Sequence, residues 1–350
     1  MVFSGMSKAS RQMMLCGATV ALAVVAAGCA RSAPRELRAN PANAANVLSS
    51  ARDGDTVVLT KGVYKLLRLP KRTFAKPLVI DASAATIEGL SGKDVDGLEI
   101  RGGTFRLPPP FISQKNGRLV YHQGVRLDQV KNIRLVGITM MGPGAYPDAP
   151  PDTFGDGTGV LIAQSEGIEV ADSKFAGLKN GVVMSRVAKF RILRNTLEGQ
   201  RSDGINVGEG REGLIEGNEC RGTKIRDNEH PDCIQLFSRP TSAPTADIVI
   251  RKNRVTGDTQ GIFLGNKTRE GVNDGGFDRI LIEDNDLNVS FPNAIALVDA
   301  RSSTIRNNRI ETFPGAKWIA RLNTRGEIAL CGNVVKAGAG KSSMKDPSCK

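Results

Sequence analysis

The feature that most constrains this chain is a six-residue unit that keeps returning: an apolar residue, two others, Asn, one other, an apolar residue. It stands as Ile192-x-x-Asn195-x-Leu197, Ile215-x-x-Asn218-x-Cys220 and Ile250-x-x-Asn253-x-Val255. It returns as Ile282-x-x-Asn285-x-Leu287 and Ile305-x-x-Asn308-x-Ile310. Leu330-x-x-Asn333-x-Val335 is a weaker copy, and Val170-x-x-Ser173-x-Phe175 keeps the frame with Ser. Successive Asn residues are 23, 35, 32, 23 and 25 apart, so one minimal turn with insertions generates them all. A single unit cannot bury its inner face, whereas stacked coils bury a continuous one. Equivalent strands then lie ~4.8 Å apart in parallel ladders. Asn suits a fixed turn position, because its amides bond along the axis and it tolerates left-handed backbone. Asn195, Asn218, Asn253, Asn285 and Asn308 are therefore expected to form one internal stack.

A second short apolar strand lies between the Asn units. It starts at Gly159, Gly181, Gly204, Cys233, Gly261 and Ala294. No helix-period segment of useful length competes inside 78–338. Aromatic residues make up only 5% of the 350 residues, so the core must be Val, Ile and Leu, which suits a narrow, repetitive interior. The expected fold class is all-β, a solenoid. On this pattern the chain resembles the right-handed parallel β-helix proteins of the pectate lyase type, over roughly residues 42–338. The resemblance implies the fold more than the activity, since lyases, hydrolases, epimerases and non-enzymes share it. Residues 46–64 also look like the entry region of the family that holds chondroitinase B and alginate lyases. There Asn43 to Ala51 reads as a short amphipathic capping helix, Asp53-Gly54-Asp55 as a turn and Thr56 to Leu59 as a first strand. The expected layout is a signal segment at 1–29, a linker at 30–41, the β-helix at 42–338 and a C-terminal tail at 339–350.

The first segment has a basic start at Lys8 and Arg11, then an apolar run from Leu15 to Ala27 too short for a stable membrane anchor. It ends Ala26-Ala27-Gly28-Cys29, which resembles a bacterial lipoprotein signal with Cys29 as the lipidated residue. Ala26 replaces the usual Leu, and cleavage near Ala30 is the alternative. The chain is thus expected to be exported, in the periplasm or anchored to the outer membrane, touching membrane only through a lipid at Cys29. The formal net charge of +12 asks for an acidic partner. In an exported protein that partner is expected to be an acidic polysaccharide rather than nucleic acid, engaged by a monomer. Cys331 and Cys349 are expected to be bridged, tying the tail to the last coil. Cys220 occupies the inward slot of Leu197 and Val255, where a buried thiol is the simpler reading and a bridge to Cys233 the alternative.

Insertions mark the working side of a solenoid. The long ones, 143–157, 222–231, 238–246 and 266–276, all precede or follow the strand that begins at Gly181, Gly204, Cys233 and Gly261. That strand should floor a groove. Asn180, Asp203, Asp232, Gln260 and Asn293 stand immediately before it in successive coils, and Arg186, Arg211, Arg239, Lys267 and Arg301 follow it. The carboxylates of Asp203 and Asp232 would lie ~5 Å apart. They have three readings: a Ca²⁺ site, an acid–base pair, or turn caps. His230 sits beside them as a candidate base for the C5 proton of a uronate, or as a capping loop residue. Asn206 and Gln235 are placed to bond sugar hydroxyls. The resemblance to chondroitinase B-like lyases implies Lys267 as a base and Arg269 as a charge neutraliser; Arg211 and Arg239, among the basic residues that follow the strand, are expected as further substrate contacts. The expected activity is β-elimination on a uronate-containing glycan. C5 epimerisation, hydrolysis and non-catalytic glycan binding are the alternatives. Met140 and Met141 form the one Met pair after the signal, and no Met/His/Cys cluster supports copper.

Overall fold

The computed structural model describes residues 33–114, 117–150, 153–226, 229, 231–238, 243–266, 275–336, 344–347 and 349. The expectations placed on Cys29, His230, Arg239, Lys267 and Arg269 lie outside the described residues. From Pro34 onward the chain winds into an all-β, right-handed parallel β-helix with three faces. The first and second faces form an 18-stranded sheet, and the third a 12-stranded sheet. Two faces share one sheet because several strands are long and bend at the corner. Asn180–Leu193 is such a strand, 14 residues long, with Arg186 and Lys189 at φ 54° and 53° where it turns.

The ladders follow from the alternation in the sequence. On the first face, Val160, Val182, Ile205, Ile234, Ile262 and Ile295 stand in register in consecutive coils. All are fully buried. β-Branched chains pack well on a pleated surface with their own kind above and below. The second face accommodates one large ring. Phe190 lies in register with Gly213, and a Cβ on Gly213 would come within 2.1 Å of that ring. Gly213 is the space into which Phe190 packs.

The Asn residues stack as expected, and Asn333 joins them. From Asn218 onward, the side-chain oxygen accepts from the backbone N–H and the Nδ2 of the Asn one coil earlier, at 2.9–3.0 Å. Each Nδ2 also reaches a carbonyl of the coil before, as Asn253 does to Ile215 at 3.0 Å. Ser173 starts the column: its N–H donates to Asn195, and its hydroxyl accepts from Ile138 N–H. The residue before each stacked Asn is left-handed. Arg194, Lys252, Asp284 and Asn307 have φ of 52–55°, and Gly217 and Gly332 hold the same position.

Both ends of the solenoid are covered. The helix Ala44–Ser50 buries Ala44 and Leu48 against the first strands. Within the stretch expected as a linker, Glu36–Ala39 forms a strand parallel to Thr56–Leu59. Arg35 anchors it on the buried Asp55, at 2.6 Å. Burial pushes the Asp55 carboxyl up, but the Arg35 side chain and the backbone N–H groups of Arg35 and Arg52 outweigh it and hold its pKa below the ordinary value. At the other end, Met344–Lys345 pairs antiparallel with Val334–Val335. Asp346 accepts from Asn333 Nδ2 at 2.7 Å, which closes the Asn column. Cys349 is bridged to Cys331.

Candidate functional site

The residues that open the first-face strands form a polar track across the coils. Asn180 Oδ1 accepts from Asp203 N–H at 3.1 Å, and Asp203 Oδ1 lies 3.4 Å from Asp232 N–H. Asp232 stands in register with Gln260, Gln260 accepts from Asn293 at 2.7 Å, and Asn293 stands in register with Arg321. The alignment arises because each turn delivers the chain to the same point of the first face before the inward apolar residues begin.

Asp203 and Asp232 are brought together, and so are Asn206 and Gln235. The four side chains form a circuit. Asn206 donates to Asp203 Oδ2 at 2.6 Å and to Gln235 Oε1 at 2.8 Å, and Gln235 donates to Asp232 Oδ2 at 3.0 Å. Asp203 is 7% exposed and Asp232 1%. Burial first, and then the charge of Asp203, push the Asp232 carboxyl well above the ordinary carboxylate value, while the Gln235 bond pulls it down. Such a pair can hold a proton: burial and the neighbouring charge bias Asp232 toward its protonated form. To a Ca²⁺ ion the two carboxylates would offer four oxygens. Ca²⁺ takes six to eight oxygens. Here one oxygen of each carboxylate already accepts an amide N–H, and no cluster of three or more His, Cys, Asp or Glu suited to a metal occurs among the described residues.

Arg211 is not brought to the acids. The strand Ile205–Gly208 separates them, and Arg211 lines a cavity of ≈ 500 Å³ at the first corner with Lys131, Arg186, Glu166 and Glu209. Arg301 bonds to Asp278 and to the Gly275 carbonyl. Of the described basic residues that follow the strand, Arg186 and Arg211 line this one cavity, whereas Arg301 is held elsewhere.

Two features of the site escape the sequence reading. The first is Arg201, whose side chain is 3% exposed. It is paired with Asp156 at 2.5 Å and Glu229 at 3.1 Å. It thereby joins the segment that leads into Asp232 and the one before Thr158 to the turn that leads into Asp203. Nothing in Gly199-Gln200-Arg201-Ser202 distinguishes this Arg from a solvated one. The second is a bridge. Cys220 is bonded to Cys233, which corrects the reading of Cys220 as a free thiol. Cys233 stands where Gly181, Gly204 and Gly261 stand in other coils. A Cβ on those glycines would meet the third-face side chains Leu197, Cys220 and Leu287, so the two positions face each other across the interior. A signal was available: a Cys standing in an otherwise glycine column, opposite a column that holds another Cys. The bridge fixes both ends of the segment that carries Glu229.

No curated protein matches the sequence significantly. Among solved structures, an alginate lyase from Paenibacillus sp. str. FPU-7 is similar, with a TM-score of 0.55 and 15% identity, over 84% of this chain and 99% of that one. A Family 28 exopolygalacturonase of Yersinia enterocolitica gives 0.52 and 11%, over 89% and 77%. The Streptococcus pneumoniae surface protein and adhesin PfbA gives 0.50 and 13%, over 85% and 96%. At such identities the likeness is one of fold. The family described as "Right handed beta helix region" matches residues 123–310, more than half of the chain. The ladders, the Asn column and this match lead to one conclusion: the chain belongs to the right-handed β-helix family.

Proposed function

We propose that the chain is an exported protein that cleaves a uronate-containing polysaccharide by β-elimination in the groove over Asp203, Asp232, Asn206 and Gln235. The observation that carries this reading is the buried Asp232, biased toward its protonated form and flanked by amides along one track. A uronate must have its carboxylate neutralised before its C5 proton can be taken, a role for Arg239 and Arg269 together with the second N–H of Gln235. A base then takes the C5 proton, the C4–O bond breaks as the C4–C5 double bond forms, and an acid protonates the leaving oxygen. Asp232 suits the acid. His230 and Lys267 remain the base candidates. The chain's net positive charge favours an acidic glycan.

Hydrolysis is the second reading, and the acid pair itself favours it. Two carboxyls on adjacent coils, one with a raised pKa, are also what glycoside hydrolysis uses. The test is incubation with a panel of polyuronates. Unsaturated uronate absorbance supports elimination; new reducing ends without it mean hydrolysis; inverted C5 without cleavage means epimerisation. No product, or undiminished activity in folded Asp203→Asn and Asp232→Asn proteins, overturns the site. A calcium ion at Asp203 and Asp232 would show as loss of activity in EDTA that added Ca²⁺ restores. Anchoring through Cys29 would show as a lipid-modified N-terminal peptide by mass spectrometry.

A further inference from the structure

The chain has one tryptophan, and it is exposed. Trp318 is 42% accessible on the segment between Arg309–Thr312 and Arg321–Cys331. Its ring centroid lies 5.3 Å from that of Phe291, tilted by 37°, and Lys317 Nζ lies 4.9 Å from the Trp318 ring. Phe291 occupies the equivalent turn one coil earlier, just before Asn293. Both aromatic residues therefore stand on the side of the groove where each coil enters the first face. Trp318 precedes Arg321, and Arg321 continues the polar track that runs from Asp232 through Gln260 and Asn293. Asn323 donates to Asn293 at 2.6 Å and carries the hydrogen-bonding floor into the same coil.

Burying so large an apolar ring against a neighbour would ordinarily be cheaper than leaving it in water. Here it is held at the surface, against Phe291 and the ammonium of Lys317, three residues before Arg321 of the polar track. A uronate presents a face of C–H groups and an edge with a carboxylate. The exposed aromatic pair offers surface to the first, and the ammonium of Lys317 offers charge to the second.

We propose that Trp318, Phe291 and Lys317 form a distal uronate-binding subsite of the groove. The subsite rests on the reading of the groove as a glycan site and adds to it a second contact, three coil spacings or ~14 Å from Asp232. Only an oligomer several sugars long reaches both. The subsite selects for polymeric substrate, and Lys317 and Arg321 select for its acidity.

The lone tryptophan makes the test direct, because all indole fluorescence of the full chain comes from Trp318. Oligogalacturonates and oligoalginates from two to eight sugars are titrated at low salt, with neutral cello-oligosaccharides alongside. The expected result is a saturable change in emission and protection from acrylamide quenching by the longer acidic oligomers. High salt should weaken it. By calorimetry, Trp318→Ala and Phe291→Ala should each weaken binding of the longest acidic oligomer about tenfold. Lys317→Ala should weaken it for acidic oligomers and reduce the salt dependence. Leu66→Ala, exposed on an early coil, should change nothing. Calorimetric binding or turnover without any change at Trp318 overturns the subsite and leaves the groove reading standing. An equal response to neutral oligomers overturns its selectivity for uronates. No binding and no turnover across the panel overturns both.

Discussion

At the scale of the residue, Asp232 has the largest consequences. Its folded pKa is raised, so the stability it contributes is complete below the ordinary carboxylate range, near pH ~3.9. That stability falls as pH climbs from there through the raised folded value, because the unfolded chain ionises first. Asp232→Asn removes the slope and keeps an acceptor for Gln235. The variant should be more stable than the parent at neutral pH, by about 1.4 kcal/mol for every tenfold by which folding tightens the carboxyl's hold on its proton, with no advantage near pH 3. Thermal melts across that range read the difference; a constant offset would contradict it. The same variant should lose activity. The acid pair was legible in the sequence because the residue before each strand start can be aligned coil by coil, and Asn206 and Gln235 follow from the same frame. Arg201 was not. Its partners Asp156 and Glu229 come from distant segments, and only the fold brings them to it.

At the scale of the element, the Asn column and the Cys220–Cys233 bridge stabilise by different means. The column is cooperative along the axis: removing one amide leaves donors and acceptors unmet in the coils on both sides. Asn253→Leu should cost about 1–3 kcal/mol, read as a shift in denaturation midpoint with unchanged slope. A variant as stable as the parent would show that the amides merely fill space. The bridge acts on one segment, the stretch that carries Arg226 and Glu229. Cys220→Ser with Cys233→Ser should cost ~2–4 kcal/mol and speed amide hydrogen exchange at residues 223–226 more than in the Asn column. The column was legible because six coils repeat it. The bridge was obscured because Cys220 fits its column of Leu197 and Val255 so well as an apolar side chain. Only the three-faced cross-section shows that this column looks across at the glycines.

At the scale of the whole molecule, a solenoid is a stack of nearly equivalent layers, and its fold contains no internal reason to stop. The chain supplies one at each end. Arg35, Asp55 and the helix Ala44–Ser50 cover the first coil. The last coil is finished by Asp346 on Asn333, by Met344–Lys345 on Val334–Val335 and by the Cys331–Cys349 bridge. Its second-face strand carries Arg325 and Glu327 into solvent, and charges on an edge discourage pairing. A chain truncated after residue 336 would keep every coil but leave a column of amides and strand hydrogen bonds open at one end. The first coil stays covered, so this surface can meet only its own copy on another chain. Such a truncation should pair open end to open end, seen as a concentration-dependent doubling of mass in light scattering, while the intact protein stays at one size. The few residues around Asp346 are thus a terminator: they turn the last layer of a repeating sequence into an outer surface.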